Sequence, residues 1–228
     1  MIPSRFCTFF KPLSYPEAVS LQDQLVALRI RDEIPDTFLL LHHFPVITLG
    51  RRGRSTFVLA DPETLSRRGI ALELSSRGGD VTYHGPGQWV LYPILKLSRN
   101  EMGAHGYLHA LEEVAIGSAG TFGVKAYRRE GKAGGWCDQG KFSAIGFKFT
   151  HWVTSHGMSL NVNPDLSAFD LIVGCGLVGE PVTSLSKVLG AGCPDMQTCA
   201  EEIQKKSGEV FRREFEQISP EVLQKYRM

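Results

Sequence analysis

The sequence has no run of about 18 apolar residues, which excludes a membrane-spanning helix. Its longest candidate, Thr37 to Gly50, is interrupted by His42, His43 and Pro45. Nor is there an excess of either charge. Twenty-five Lys+Arg stand against 24 Asp+Glu, a net charge of +1, so no global field draws nucleic acid or anionic lipid, and an acidic partner must be met by a local patch. No CxxC pair occurs. The five cysteines (Cys7, Cys137, Cys175, Cys193 and Cys199) are odd in number and scattered, and no histidine sits at metal-ligand spacing from them, which argues against a disulfide framework and a zinc site. Met1 to Cys7 shows neither a secretory h-region nor an Arg/Ser-rich amphipathic presequence, so the expectation is a cytoplasmic protein. Internal repeats, low-complexity tracts and Pro/Ser linkers are missing as well, which favours one domain over 1–228. What remains is ordinary globular composition, 43% hydrophobic, 21% charged and 10% aromatic, which excludes disorder as the main state.

Strand-like and helix-like stretches alternate along the chain. Phe6 to Leu13 reads as an edge strand. Ser14-Tyr-Pro-Glu17 is a capping box, and Ala18, Leu21, Leu25 and Leu28 recur at helical spacing behind it, predicting a helix from Pro16 to about Arg31. Thr37 to Leu49 predicts two short strands broken near Pro45. Ile70 to Leu74 and Trp89 to Leu97 read as strands, and Tyr107 to Phe122 as a helix. Phe142 to Phe149 and Trp152 to Val162 predict a hairpin turning at Thr150-His151. Thr198-Cys-Ala-Glu201 predicts a second capping box, and Ser219-Pro-Glu221 a last short helix, giving C-terminal helices over about 196–226. Mixed strands with helices between and after them indicate an α/β (α+β) layered domain.

Three stretches carry chemistry. Arg77-Gly-Gly-Asp-Val-Thr-Tyr-His-Gly-Pro-Gly-Gln88 holds four glycines in 12 residues, suited to a backbone that turns sharply or approaches a ligand, with Arg77, Thr82, Tyr83, His84 and Gln88 as side-chain partners. A β-hairpin with polar strands accounts for the same composition. In Gly134-Gly-Trp-Cys-Asp-Gln-Gly-Lys-Phe-Ser-Ala-Ile-Gly146, Lys141 opens an apolar strand, either as a solvated strand end or, desolvated, as a proton acceptor. Thr154-Ser-His-Gly-Met-Ser-Leu-Asn161 follows, with His156 beside Gly157, where a satisfied structural histidine is the plainer reading. In Ile172-Val-Gly-Cys-Gly-Leu-Val178, Cys175 lies between two glycines, an uncrowded position for a nucleophile that must accept a substituent, and stands slightly ahead of Cys137 as a reactive thiol.

These segments closely resemble the lipoyl(octanoyl) transferase family. The likeness rests on Arg77 to Gln88, Gly140-Lys141 with Ala144-Ile-Gly146, Thr154-Ser-His-Gly157, Val173-Gly-Cys-Gly-Leu177, Val182-Thr-Ser-Leu185 and His43-Phe-Pro-Val-Ile-Thr-Leu-Gly50, in family order over about 40–187. Ala133-Gly-Gly-Trp136 departs from the family's usual Thr-Gly-Val-Trp, and Phe142 from a common isoleucine.

The resemblance implies a mixed central sheet flanked by helices, the catalytic fold of biotin and lipoate protein ligases, with the acyl group in a tunnel for which Phe142, Ile145, Leu160 and Ile172 are candidates. It implies an acyltransferase that moves octanoyl from acyl carrier protein, through a cysteine thioester, to the lysine of lipoyl domains, in 2-oxoacid dehydrogenase E2 subunits and in glycine cleavage H protein. Cys175 is then the nucleophile, and Lys141 lowers its pKa and acts as general acid and base. Substrate binding maps to Arg77, Gly78, Gly79, Asp80, Val81, Thr82, Tyr83 and His84, to Ala144, Ile145 and Gly146, and to Gly157, Met158 and Ser159, with His156 in support. Backbone N–H groups there are candidates for an oxyanion site, worth roughly 3–4 kcal/mol per donor. No metal, cofactor, nucleic acid or membrane is implied, because the acyl group arrives activated on the carrier's phosphopantetheine. Competing readings are an ATP-dependent lipoate or biotin protein ligase, fed by the run Gly78 to His84 and by Gly50-Arg-Arg-Gly-Arg54, a non-catalytic binder, and a cysteine hydrolase. Arg51, Arg52, Arg54, Arg128, Arg129 and Lys132 form a candidate basic rim for an acidic carrier.

Overall fold

A computed structural model describes residues 1–98, 102–173, 180–224 and 226. In chain order these form β1 (Ile2–Thr8), α1 (Tyr15–Ile30), β2 (Thr37–Leu41), β3 (Val46–Leu49), α2 (Pro62–Arg67), β4 (Ala71–Leu74), β5 (Val81–His84), β6 (Gln88–Ile94), α3 (Ala104–Thr121), β7 (Tyr127–Arg129), β8 (Lys132–Cys137), β9 (Gly140–Thr150), β10 (Val153–Asn161), α4 (Leu185–Leu189), α5 (Met196–Phe211), β11 (Arg213–Ile218) and α6 (Pro220–Gln224). They build a mixed eight-stranded sheet, β11-β1-β2-β6-β10-β9-β8-β7, and a three-stranded sheet, β4-β3-β5.

The central strands explain why the apolar runs show no alternation. In β2, Phe38 and Leu40 enter the cluster formed with Tyr107, Leu111, Ile203 and Phe211 of α3 and α5, while Leu39 and Leu41 enter the cluster formed with Leu21 and Leu25 of α1. β6 divides the same way, Trp89 and Leu91 against Val90 and Tyr92. A strand covered on both faces needs apolar residues at every position. The small sheet has its own core, in which Ile47, Val81 and Tyr83 meet Ala168 and Ile172.

The Ser14–Glu17 capping box opens α1 as its sequence predicts. The β9–β10 hairpin turns through His151 and Trp152, both with positive φ (48° and 64°). That is the backbone twist a two-residue hairpin loop requires.

Four expectations are corrected. The first strand begins at Ile2, and it is not an edge: β1 lies between β11 and β2, parallel to both. The polar hairpin within Arg77 to Gln88 does not form, because β5 pairs with β3 in the small sheet and β6 with β2 and β10 in the large one. Helix α5 starts at Met196, two residues before Thr198, capped by Asp195, whose carboxylate accepts from the Thr198 N–H at 2.7 Å. The C-terminal region is not all helical, since β11 intervenes and supplies the sheet's outer strand. No helix among the described residues is long and apolar enough to cross a membrane.

Candidate active site

A cleft lies between the small sheet and the β9–β10 face of the large one. It consists of two adjoining cavities of about 450 and 350 Å³, both lined by Thr82, Ala144 and Ser159. The first cavity ends at Trp136, Lys141, Glu180 and Val182, the second at Arg77, His84, Tyr92 and His156.

Two irregularities bring titratable side chains into this cleft. Along β8 and β9, Gly135 faces Ser143 but the next residue, Trp136, faces Lys141, so Phe142 is an extra residue in the ladder. Uninterrupted alternation would place Lys141 on the same side as Ile145 and Phe147, against the α3 cluster. The bulge carries it instead to the cleft beside Ala144, while Phe142 takes the core position. The second irregularity is His156, which pairs with Phe147 yet has φ +54°. Phe147 packs edge-on against Tyr107 in the α3 cluster, whereas the His156 ring meets Tyr92 and the Ser76 hydroxyl, at 5.9 and 3.2 Å. A left-handed residue inside a strand is strained, and such strain concentrates at ligand sites.

At the Lys141 end, charge is gathered around one indole. Trp136 is fully buried, with the Lys141 Nζ 5.4 Å and the Arg129 guanidinium 4.5 Å from its ring centre. Glu180 accepts from Arg129 at 2.7 Å and from the Lys132 ammonium, and these two partners hold its carboxyl below the ordinary carboxylate range, Lys132 first. Gly134, at φ +125°, makes the room: a Cβ there would lie 2.2 Å from the Ser143 carbonyl oxygen and 2.8 Å from the Lys141 Cε. Its N–H donates to buried Glu112, which Arg128 neutralises. The Ser143 hydroxyl is buried beside Lys141 in the same cavity, without a partner among the described residues.

At the other end the histidines are neutral. Burial is the main cause that lowers His43 to about 4 and His156 to about 3, and it takes His84 well below its ordinary value. His43 bonds the Tyr92 hydroxyl through Nε2 at 2.8 Å. Arg77 reaches the second cavity, but its guanidinium is engaged: Nη2 donates to the Thr48 carbonyl at 2.7 Å and to its hydroxyl at 2.8 Å, and Nη1 to the Gly78 carbonyl at 3.0 Å. With Gly78 N–H donating to Phe147 at 2.9 Å, the loop fastens the two sheets together.

The positions singled out in the sequence divide accordingly. Thr82, His84, Ala144, Ile145, Gly146, His156, Gly157, Met158 and Ser159 line the cleft with Arg77 and Lys141. Val81 and Tyr83 alternate away from it into the small-sheet core, and Gly78, Gly79 and Asp80 shape the loop behind it. Of the tunnel candidates, Ile145 lines the second cavity, but Phe142 and Leu160 point into the α3–α5 cluster and Ile172 into the small-sheet core. Val90 and Met158 supply apolar lining at the second cavity, Phe169 and Val182 at the first. Cys137 is buried in the α3 cluster, and burial pushes the Cys199 thiol up to about 12. Cys175 lies outside the described residues, between Val173, whose N–H donates to Phe57 at 2.8 Å, and Glu180 at the first cavity. Sequence reasoning missed Glu180. Ser143, Trp136 and Asn161 fall inside the stretches Gly134 to Gly146 and Thr154 to Asn161 but are not singled out there, though a tryptophan after two glycines and five residues before Lys141 is a usable signal.

Residues 14–208 match the catalytic domain of lipoyl protein ligases A and B. An octanoyltransferase of Chloroflexus aurantiacus is 46% identical over 205 residues, covering 89% of this chain and 92% of its own. The chain belongs to the octanoyltransferase family. Another member, from Syntrophobacter fumaroxidans, is 43% identical over 190 residues, 83% of each chain. The backbone of this octanoyltransferase-family chain is also similar to lipoate-protein ligase A bound with ATP, at a TM-score of 0.79 and 12% identity over 97% and 92% of the two chains. The bipartite lipoate protein ligase of Thermoplasma acidophilum gives 0.73 and 13% over 98% and 91%. At such identities the likeness is one of fold, and it bears out the mixed sheet flanked by helices.

Proposed function

We propose that this chain is an octanoyltransferase that moves an octanoyl group from acyl carrier protein to a lysine of lipoyl domains, with Cys175 as the acyl acceptor and Lys141 as its proton partner. The observation that carries the reading is the β-bulge at Phe142, which turns a buried lysine out of the core face and into the cleft. An amine is costly to bury, and a position built to do so is more readily explained by chemistry than by stability.

In the first step Lys141 takes the Cys175 thiol proton. The sulfur attacks the carbonyl carbon of the carrier thioester, and the carbon–sulfur bond to the phosphopantetheine breaks as the leaving thiolate takes the proton from Lys141. In the second, the ε-amine of the acceptor lysine attacks the enzyme thioester, an amide forms, and Cys175 leaves as the thiolate and recovers a proton from the amine by way of Lys141. The acyl group arrives as a thioester and leaves as a more stable amide, so the sequence of steps as written uses neither ATP nor a metal. The unpartnered Ser143 hydroxyl is a donor within the same cavity for the carbonyl oxygen as it gains charge. The relatives from Chloroflexus aurantiacus and Syntrophobacter fumaroxidans, both octanoyltransferases, do not favour the ATP-dependent ligase.

Of the basic rim, Arg128, Arg129 and Lys132 are committed to Glu112, Glu113 and Glu180. Arg51, Arg52 and Arg54 are exposed and remain as the docking surface for an acidic carrier.

The test is intact mass after mixing with octanoyl-carrier protein without ATP. A mass gain of one octanoyl group that Cys175→Ala lacks, and that an unmodified lipoyl domain removes, supports the reading. Lipoyl-domain modification that requires ATP and free octanoate overturns it.

A further inference from the structure

We propose that Asn161 is a positioning residue for Lys141, acting through the Thr183 carbonyl at the point where β9 parts from β10. The proposal rests on the reading of Lys141 as the proton partner in acyl transfer.

The ladder between β10 and β9 runs from the Val153–Thr150 pair to the Leu160–Ser143 pair and stops. Beyond it the bulge takes Lys141 to a different neighbour, the segment 181–183. Lys141 N–H donates to the Pro181 carbonyl and Thr183 N–H to the Lys141 carbonyl, both at 2.9 Å. A fork therefore opens between the end of β10 and the strand that carries Lys141. Asn161, the last residue of β10, spans it: its Nδ2 donates to the Thr183 carbonyl at 2.9 Å. Its Oδ1 accepts from Gln88 Nε2 at 2.8 Å, Gln88 Nε2 also donates to the Tyr83 carbonyl at 3.3 Å, and Gln88 Oε1 accepts from His84 Nδ1 at 2.6 Å. All three side chains are buried.

Two backbone carbonyls, which can only accept, orient this chain of amides. The Thr183 oxygen decides which end of Asn161 is nitrogen, the Tyr83 oxygen does so for Gln88, and His84 is left to carry its proton on Nδ1. The relay runs from the small sheet (His84, Tyr83) through β6 and β10 to the segment on which Lys141 hangs. It joins the two ends of the cleft without touching the Lys141 ammonium. Losing the Asn161 donor leaves Thr183 held by its own N–H alone, and with it the backbone that aims Lys141.

Asn161→Asp tests this, because it keeps the acceptor for Gln88 and replaces the donor to Thr183 with a second oxygen. Two readouts are taken at matched folding: single-turnover octanoyl transfer, and the labelling rate of Lys141 by an amine reagent relative to Lys148 on the same strand. The expected result is a fall of about tenfold or more in the transfer rate, with KM for the octanoyl donor within about twofold and Lys141 labelling changed against Lys148. Gln88→Glu, one bond further away, gives a smaller change of the same kind. If Asn161→Asp does not fold, Asn161→Ser takes the same two readouts. Transfer and relative labelling at wild-type values overturn the proposal, as does a loss in which Lys141 and Lys148 labelling rise alike. Wild-type protein that never gains an octanoyl group refutes the function and leaves the labelling result to judge the positioning.

Discussion

At one end of the cleft Lys141, Arg129 and Lys132 gather around the Trp136 ring with Glu180 among them, and the Ser143 hydroxyl has no partner among the described residues. At the other end three histidines are buried in the neutral form and the nearest guanidinium, Arg77, is engaged by Thr48 and Gly78. The same cleft thus has an end where charged side chains gather and an end in which burial suppresses the ionisation of histidines. An acyl chain suits that gradient: its carbonyl is served where the charges are, and its tail meets Val90, Ile145 and Met158 beside neutral rings. The contrast implies that the two ends answer differently to mutation, one through rate and the other through stability.

The largest expected effect falls at the charged end. Lys141→Met lowers octanoyl transfer by about 10³-fold or more, within the range for losing a general acid–base group, while thermal unfolding stays near wild type. His156→Asn, with a residue that tolerates positive φ, lowers transfer by less than about tenfold. Single-turnover rates of the two variants check the contrast, and equal losses would break it.

How far the sequence reveals this arrangement depends on the range of the interactions that make it. Ser14, Glu17 and the leucines behind them act within one helix, so α1 is legible residue by residue. The β9–β10 hairpin is legible because its apolar runs and turn are contiguous. The interior position of β1 is not, because it is set by pairing with β11 more than 200 residues away in the chain. β11 itself reads Arg-Glu-Phe-Glu-Gln-Ile, with too few apolar residues to announce a strand. Lys141 is conspicuous as a lysine opening an apolar strand, and Gly134, Gly135 and Gly140 flank the bulge that aims it, but in a glycine-rich stretch they do not say which residue is the extra one. Asn161 and Gln88 meet across 73 residues, and only the folded sheet shows them as partners.

The neutral end makes its own prediction, about acid. His43 and His156 have folded values of about 4 and 3, below the roughly 6.5 of an unfolded histidine, and His84 is lowered as well. Below pH 6.5 the unfolded chain therefore binds protons that the folded chain refuses. Stability is fully present above that pH and is lost as pH falls, by up to about 1.4 kcal/mol per pH unit for each histidine, down to about pH 4 for His43 and pH 3 for His156. Urea midpoints measured from pH 7.5 to 4.5 show this slope, and His156→Asn reduces it by one histidine's share. A slope unchanged in that variant would mean that His156 charges in the folded state.

A smaller effect separates shape from charge at the Lys141 end. Gly134→Ala puts a Cβ against the Ser143 carbonyl and Lys141 Cε, at a φ that side chains rarely adopt. The expected cost is about 1–3 kcal/mol of stability, read from urea unfolding, together with slower transfer, because relief of the clash must move the lysine. Full activity with lowered stability would show that Lys141 tolerates displacement and that the cavity's charge matters more than its geometry.

The smallest effect is expected at the rim, where Arg51, Arg52 and Arg54 are exposed, Arg52 lying 3.9 Å from Asp80, and differ from the arginines held closely by Glu112 and Glu180. Neutralising Arg51, Arg52 and Arg54 to Gln lowers kcat/KM for octanoyl-carrier protein by a few-fold at low salt and leaves kcat unchanged, since exposed charges steer encounter and do not hold the reacting groups. The deficit shrinks as ionic strength rises, with a screening length of about 8 Å at 0.15 M and 3 Å at 1 M. Arg128→Gln makes the complementary case. Its partner Glu112 is buried and bonded to Gly134 N–H, so removing the arginine strands a carboxylate inside the fold, and the loss appears in stability, insensitive to carrier concentration. A triple variant with wild-type kcat/KM at every salt concentration would show that the carrier docks elsewhere, and would leave Arg51, Arg52 and Arg54 as a solvated surface.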